Sequence, residues 1–191
     1  MTIIKIKDFL KNSLNYTNGS KLISVSGGSG SGKSYFSNDL SKIINAKVIK
    51  LDDYIIPQKI TKKSNWDLPE CWDLDMIREN LEKYLKGKSF RKPIYNFKRG
   101  TNHKSENIFP GKPLILDGLY SLYDPIVDLA DYKIFVDVDE KERLNRVLKR
   151  DIIERGNKTE EKILKRWNET IQPTYLEFVE PQKYKADIVL A

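Results

Sequence analysis

Eight consecutive residues, Gly27-Gly28-Ser29-Gly30-Ser31-Gly32-Lys33-Ser34, have the types and spacing to hold the phosphates of a nucleotide. Glycines let the backbone curl until successive N–H groups converge on one anion. The apolar Leu22-Ile23-Ser24-Val25 ahead of the loop reads as a short buried strand. Lys33 to Ile44 behind it reads as a helix whose positive end faces the same anion. In that setting Lys33 neutralises the β/γ-phosphates of ATP or GTP, and the Ser34 hydroxyl is a ligand for Mg²⁺. A flexible Gly/Ser turn would need neither the flanking strand nor the Lys-Ser ending.

Other residues fit the same chemistry. Asp117 closes the apolar run Leu114-Ile115-Leu116, a place where an acid holds Mg²⁺ directly or through water, although Asp117-Gly118 would also suit a plain turn. Asp52 and Asp53 end the run Val48-Ile49-Lys50-Leu51. Transfer to a hydroxyl needs a carboxylate within hydrogen-bond reach of it. Adjacent side chains diverge, so one of the two acids can serve while the other caps the next segment. Arg143, Arg146, Lys149, Arg150 and Arg155 lie on and just beyond a helix with an apolar opposite face. Such a run is commonly a solvated face, but Arg150 and Arg155, beside Gly156, are placed to close over phosphates. Trp66, Tyr95 and Phe97 could stack on a flat substrate or simply fill the core. His103 is the lone histidine, in a polar loop, and Cys71 has no partner motif.

These groups need elements to hold them. The spacing of Ile6, Phe9, Leu10 and Leu14 predicts a helix, broken at Asn18-Gly19. Helices are also expected over Asp75–Leu85, over Glu140–Ile153 with Leu144, Val147, Leu148 and Ile152 inward, and over Glu160–Phe178 with an interruption near Pro173. Short apolar strands are expected at 22–25, 48–51, 113–116, 134–138 and 188–190. Apolar strands alternating with amphipathic helices predict a parallel sheet covered on both faces. Its ligand edge carries the loops after Val25, Leu51, Leu116 and Val138. The stretch 90–110 breaks the alternation and reads as a hairpin excursion beside the sheet, where acceptor specificity often resides. The 191 residues suit one domain, 1–191, with a lid at 143–160.

Composition narrows the classes. A hydrophobic share of 39% with 32% charged residues describes a globular chain, and no apolar run is long enough to span a bilayer. A single cysteine makes no internal disulfide, and the N-terminus lacks a secretory apolar region, so a cytoplasmic location is expected. The net charge of +7 asks for an anionic partner. The basic residues form no tail, so a phosphorylated small molecule serves as well as nucleic acid, and no nucleic acid or membrane partner is expected.

In order along the chain, these segments resemble the uridine kinase (uridine–cytidine kinase) family of the phosphoribulokinase/uridine kinase group. The resemblance spans about Leu22 to Val189. It rests on Gly27–Ser34, Leu51-Asp52-Asp53-Tyr54, Asn65-Trp66-Asp67-Leu68-Pro69 and Lys92-Pro93-Ile94-Tyr95-Asn96-Phe97. It continues through Leu116–Tyr120, Leu129–Val138, Arg150–Gly156, and the C-terminal Phe178–Pro181 with Ala186–Ile188. It implies an α/β, P-loop NTPase-type three-layer fold, with a central parallel sheet, helices on both faces, a hairpin excursion and a lid. It also implies transfer of the γ-phosphate of ATP or GTP, with Mg²⁺, to the 5′-hydroxyl of uridine or cytidine, and homo-oligomers. By the same resemblance Asp52 rather than Asp53 is the catalytic acid. Asp67 is similar to the ribose-binding acid, with Trp66 where the family has Phe. Tyr95 and Phe97 match base-pocket aromatics, and Arg150 and Arg155 match lid arginines.

This chain departs from the family pattern at Asp117 (usually Glu), Val147 and Asn157 (usually Arg) and Gly100, where a base-reading histidine is expected. His103, three residues on, is the candidate replacement. A kinase of another small alcohol, a nucleotide-dependent switch or ATPase, and a silent homologue share the phosphate loop. Acceptor-stimulated ADP release separates the kinases from the rest.

Overall fold

A computed structural model describes residues 2–57, 65–97, 99–154 and 159–191. Six strands form one parallel sheet in the order β1-β8-β7-β2-β6-β3. These are β1 (Thr2–Ile4), β2 (Leu22–Gly27), β3 (Lys47–Lys50), β6 (Leu114–Asp117), β7 (Tyr132–Val136) and β8 (Ile188–Leu190). The helices are α1 (Ile6–Tyr16), α2 (Lys33–Ile43), α3 (Leu74–Leu85), α4 (Glu140–Lys149) and α5 (Glu160–Arg166). A separate antiparallel hairpin joins β4 (Phe90–Asn96) to β5 (Thr101–Ile108).

Successive strand side chains point to opposite faces of the sheet. Ile23, Val25, Ile115, Ile134, Val136, Ile188 and Leu190 pack with Phe9 of α1 and with Phe36 and Leu40 of α2. Leu22, Leu114, Leu116, Phe135 and Val189 turn the other way, joining Ile77 and Leu81 of α3 and Tyr175 and Val179 near the C-terminus. Two cores, one on each face, make the three-layer α/β fold expected of the apolar strand runs. The register sets Val25 and Lys50 on either side of Asp117, so the loops after β2, β3 and β6 leave the sheet at one edge.

Several boundaries differ from expectation. Thr2–Ile4, for which the sequence predicted no element, is an edge strand whose partners run Thr2–Ile188 to Ile4–Leu190. The helix expected to reach Ile153 is α-helical only to Lys149, and Arg150–Glu154 continues as a π-turn. Wider turns rotate later residues off the buried stripe. Ile152, expected inward, is accordingly exposed, while Val147 is buried. The helical path from Glu160 does not stop at Pro173. A π-turn, Trp167–Ile171, precedes the short α-turn Gln172–Thr174, and a second π-turn, Tyr175–Val179, follows it. His103 lies in strand β5, exposed, rather than in a loop. Among the described residues no helix is long and apolar enough to cross a membrane.

Candidate active site

The glycine loop runs from the end of β2 into the first turn of α2. Gly30 has φ 81°, and a Cβ there would lie 2.3 Å from the Arg143 carbonyl oxygen, so only glycine fits. Lys33 is half-buried and donates from Nζ to the Gly28 carbonyl at 3.3 Å, while Ser34 is exposed in the first turn of α2. Burial lowers the Lys33 pKa, against the attraction of Asp117 and then Asp52, with Arg150 and Arg143 acting in the same direction as burial. These charges therefore act on one another at the sheet edge that carries the loop.

Arg143 and Arg146 brace the loop from α4. Arg143, counted from sequence with the surface charges, is only 1% exposed. Its Nε donates to the Val138 carbonyl at 3.1 Å and its Nη2 to Gln172 Oε1 at 2.9 Å. Its guanidinium lies 3.8 Å from the centroid of the Tyr175 ring. Nη1 is buried with no hydrogen-bond partner among the described residues, directly beneath Gly28. Arg146 Nη1 donates to the carbonyls of Gly30 at 3.3 Å and Ser31 at 3.2 Å. The sequence signal for Arg143 was its place four residues before Val147, on the inward face.

Asp117 ends β6 in the row next to the loop, 4% exposed, and its Oδ1 has no hydrogen-bond partner among the described residues. No group of three or more His, Cys, Asp or Glu side chains is placed to hold a metal ion among the described residues. Mg²⁺ is typically held by one or two carboxylates plus substrate phosphates. An orphaned buried carboxylate oxygen and a free-standing Ser34 beside a phosphate cradle fit that requirement.

Asp52 and Asp53 occupy a 3₁₀ turn, Leu51–Tyr54, directly after β3. Burial raises the Asp52 pKa. Lys33 opposes this, while Asp117, Asp53 and Asp67 add to it in that order. Asp53, the acid that the sequence left to cap the next segment, has its partners among the described residues on the hairpin. It pairs with the Lys92 ammonium and takes the Tyr95 N–H at 3.3 Å.

The expected acceptor residues separate into two groups. On the hairpin, Tyr95 is 9% exposed and meets Phe97 edge-on at 4.9 Å, while Phe97 is 63% exposed. His103 points to solvent from β5. On the other side, Asp67 accepts from Arg166 Nη2 at 2.9 Å, and the Arg166 guanidinium sits 5.8 Å from the half-exposed Trp66 ring. Asn65 Oδ1 holds the Asp67 N–H at 3.0 Å, Asn65 Nδ2 reaches Thr174 at 2.8 Å, and the Tyr120 hydroxyl donates to the Asp67 carbonyl. A small recess between Ser29 and Asp67 is floored by Tyr120 and Tyr175. Arg150 pairs with the buried Asp151 at 2.8 Å. Arg155 lies outside the described residues.

A phosphate loop at the carboxyl edge of a parallel sheet, with a half-buried lysine, the buried Asp117, the partly buried Asp52 and arginines converging on it, defines a P-loop phosphotransferase. The comparisons carry this further. Residues 22–191 match the Phosphoribulokinase / Uridine kinase family. The chain is 36% identical over 178 residues to the uridine kinase of Alkaliphilus metalliredigens, covering 88% of this chain and 85% of that one. It is 34% identical over 179 residues to the uridine kinase of Ligilactobacillus salivarius, covering 88% and 84%. A solved structure ascribed to a fructose transport system kinase of Silicibacter sp. TM1040 superposes with a TM-score of 0.78 at 18% identity, covering 98% of this chain and all of that one. That likeness bears on the fold. The chain belongs to the Phosphoribulokinase / Uridine kinase family and is a kinase that takes its phosphate from a nucleotide.

Proposed function

We propose that this kinase moves the γ-phosphate of ATP to the 5′-hydroxyl of uridine or cytidine. One observation carries the reading: Asp52, in the turn that follows β3 at the sheet edge bearing the phosphate loop, interacts electrostatically with the loop lysine and is held above its ordinary range. The uridine kinase names of relatives matching most of the chain supply the acceptor class.

The loop N–H groups and Lys33 hold the β/γ-phosphates, and Arg143 and Arg146 keep the loop in shape from beneath. Asp52 orients the acceptor hydroxyl and accepts its proton as the new oxygen–phosphorus bond forms. The bond from the γ-phosphorus to the β-phosphate oxygen breaks, and the electrons leave with ADP. Ser34 and Asp117 would hold Mg²⁺, which supplies charge neutralisation at the phosphates when bound. Asp67, held by Arg166, accepts hydrogen bonds from ribose hydroxyls. Tyr95 and Phe97 border the base, with His103 the candidate reader of its edge, Trp66 closing the ribose side, and Arg150 and Arg155 closing over the phosphates as a lid.

A coupled ADP-release screen across nucleosides, sugars and small alcohols tests the acceptor. Uridine or cytidine should stimulate release well above the acceptor-free rate. Stimulation by a different alcohol alone would replace the pyrimidine reading with that acceptor. ATP turnover indifferent to every acceptor would favour a switch or ATPase.

A further inference from the structure

We propose that Lys92 is a positioning residue, fastening the β4–β5 hairpin to the turn that carries Asp52 so that the acceptor pocket and the catalytic carboxylate move as one piece. The inference rests on the reading of Asp52 as the group that takes the acceptor proton.

Lysine is almost never fully buried unless it is paired. The Lys92 side chain is 4% exposed in β4, and its Nζ pairs with Asp53 and, at 2.9 Å, with Glu106 of β5. The second Asp53 oxygen takes the N–H of Tyr95, three residues further along the same strand. Asp53 thus holds the hairpin at two points, and its chain neighbour is Asp52. The opposite side of the turn is already fixed: a Cβ on Gly118 would lie 2.2 Å from Leu51 Cβ, so the turn rests directly on the loop after Asp117. Tyr54, the last residue of the turn, receives the Asn80 amide of α3 at 3.1 Å. On its hairpin side the turn is held by Lys92.

Stability alone is a weak reason for such an arrangement. Replacing a buried ion pair with apolar side chains of similar volume is often neutral or stabilising. What the pair adds is a fixed location. An apolar contact can slide, whereas an ammonium between two carboxylates cannot. The strand so fixed carries Tyr95 and leads to Phe97, the residues proposed to border the base. A displacement of about 1 Å in such a site can lower the rate by roughly 100-fold.

The test compares wild type, Lys92→Met, Lys92→Arg, Asp53→Asn, the double variant Lys92→Met/Asp53→Asn and Asp52→Asn, on whichever acceptor the screen identifies. Tm, ATP affinity, kcat and the acid limb of the pH–rate profile are read for each. Lys92→Met should lower kcat roughly 10- to 100-fold with ATP affinity unchanged, and Lys92→Arg should recover part of the loss. The double variant removes the stranded carboxylate and should regain Tm without regaining kcat. The charged groups acting on Asp52 are Lys33, Asp117, Asp53 and Asp67. With Lys92 gone, Asp53 is no longer neutralised, so the acid limb should move to higher pH in Lys92→Met and back down in the double variant. A lysine serving stability alone would lower Tm with kcat and the acid limb unmoved, or would let the double variant recover both, and either result overturns the proposal. If Asp52→Asn transfers phosphate normally, the base assignment falls and the positioning role with it. If Asp52→Asn is inert and Lys92→Met fully active, only the positioning role falls. An acceptor other than a pyrimidine nucleoside changes the acceptor reading and leaves this comparison intact.

Discussion

At the scale of single residues, the site is a set of charges drawn partly out of water, and Asp52 shows what that implies. Burial raises its folded-state pKa above the unfolded value, so the fold disfavours its ionised form. The sign follows: stability is highest with the proton on, and is lost as pH rises from the unfolded value through the folded one. Asp52→Asn should therefore raise Tm at neutral pH while lowering phosphoryl transfer by roughly 10²–10⁴-fold, measured by thermal melts and ADP release. In wild type, transfer should fall with acid through a pKa above the ordinary aspartate value of about 3.9. A loss of Tm in Asp52→Asn would contradict the direction of the shift. Arg143 was the residue the sequence hid. Its charge placed it with the surface arginines, and only its position four before Val147 marked the inward face. Arg143→Met removes two hydrogen bonds from a buried charge, each contributing about 1.5–3 kcal/mol. It should lower Tm and weaken ATP binding together, as melts with and without nucleotide would show. Unchanged nucleotide affinity would reduce Arg143 to a core contact.

At the scale of elements, what the sequence displayed clearly was whatever depends on local pattern. The phosphate loop was visible because glycine spacing, strand and helix are contiguous. The hairpin was visible because Pro93, Gly100 and Pro110 break the strand–helix alternation. Which side chains of the hairpin face inward was not, because the register shifts between Ile94 and Asn96. Tyr95 is accordingly buried in the strand, and Phe97, just past its end, is largely exposed. The segment 65–67 was legible as a motif, but its partner Arg166 lies 99 residues away on α5, and no local pattern announces that pair. Arg166→Ala should free Asp67 and raise the acceptor KM about tenfold, with ATP affinity unchanged, since truncating one member of a partly buried charge pair strands the other. Equal damage to ATP and acceptor kinetics would mean that Arg166 supports the helix rather than the pocket. Phe97→Ala, at an exposed ring, should raise the acceptor KM without lowering Tm, because base–aromatic stacking contributes about 1–3 kcal/mol. A fall in Tm with an unaltered KM would return Phe97 to a packing role.

At the scale of the whole molecule, the sheet brings the loops after β2, β3 and β6 to one edge, and long-range contacts hold them there. Gln182, from the C-terminal region, accepts from the Ser26 hydroxyl at 3.1 Å and the Leu122 N–H at 3.0 Å, and donates to the Leu119 carbonyl at 2.8 Å. It ties the start of the phosphate loop to the segment after Asp117. Strand order and such ties are decided by packing between distant segments, which is why periodicity supplied the layers but neither the order nor the pairing of β1 with β8. A molecule organised around one phosphate cradle should respond globally to its ligand. A ligand at 100 times its Kd stabilises the folded state by about 2.7 kcal/mol. For a chain of this size that corresponds to a rise in Tm of about 5–11 °C. ATP with Mg²⁺ should produce that rise, and an acceptor nucleoside should add a further increment if both sites fill in one folded unit. Gly30→Ala forces a Cβ against the Arg143 carbonyl and strains the loop at φ 81°. It should melt lower without ligand and lose most of the ATP-dependent rise. A normal ATP response in Gly30→Ala would place the nucleotide away from the loop. A response to ATP that no acceptor augments, in a protein whose ADP release no acceptor stimulates, would mark a nucleotide switch built on a kinase scaffold.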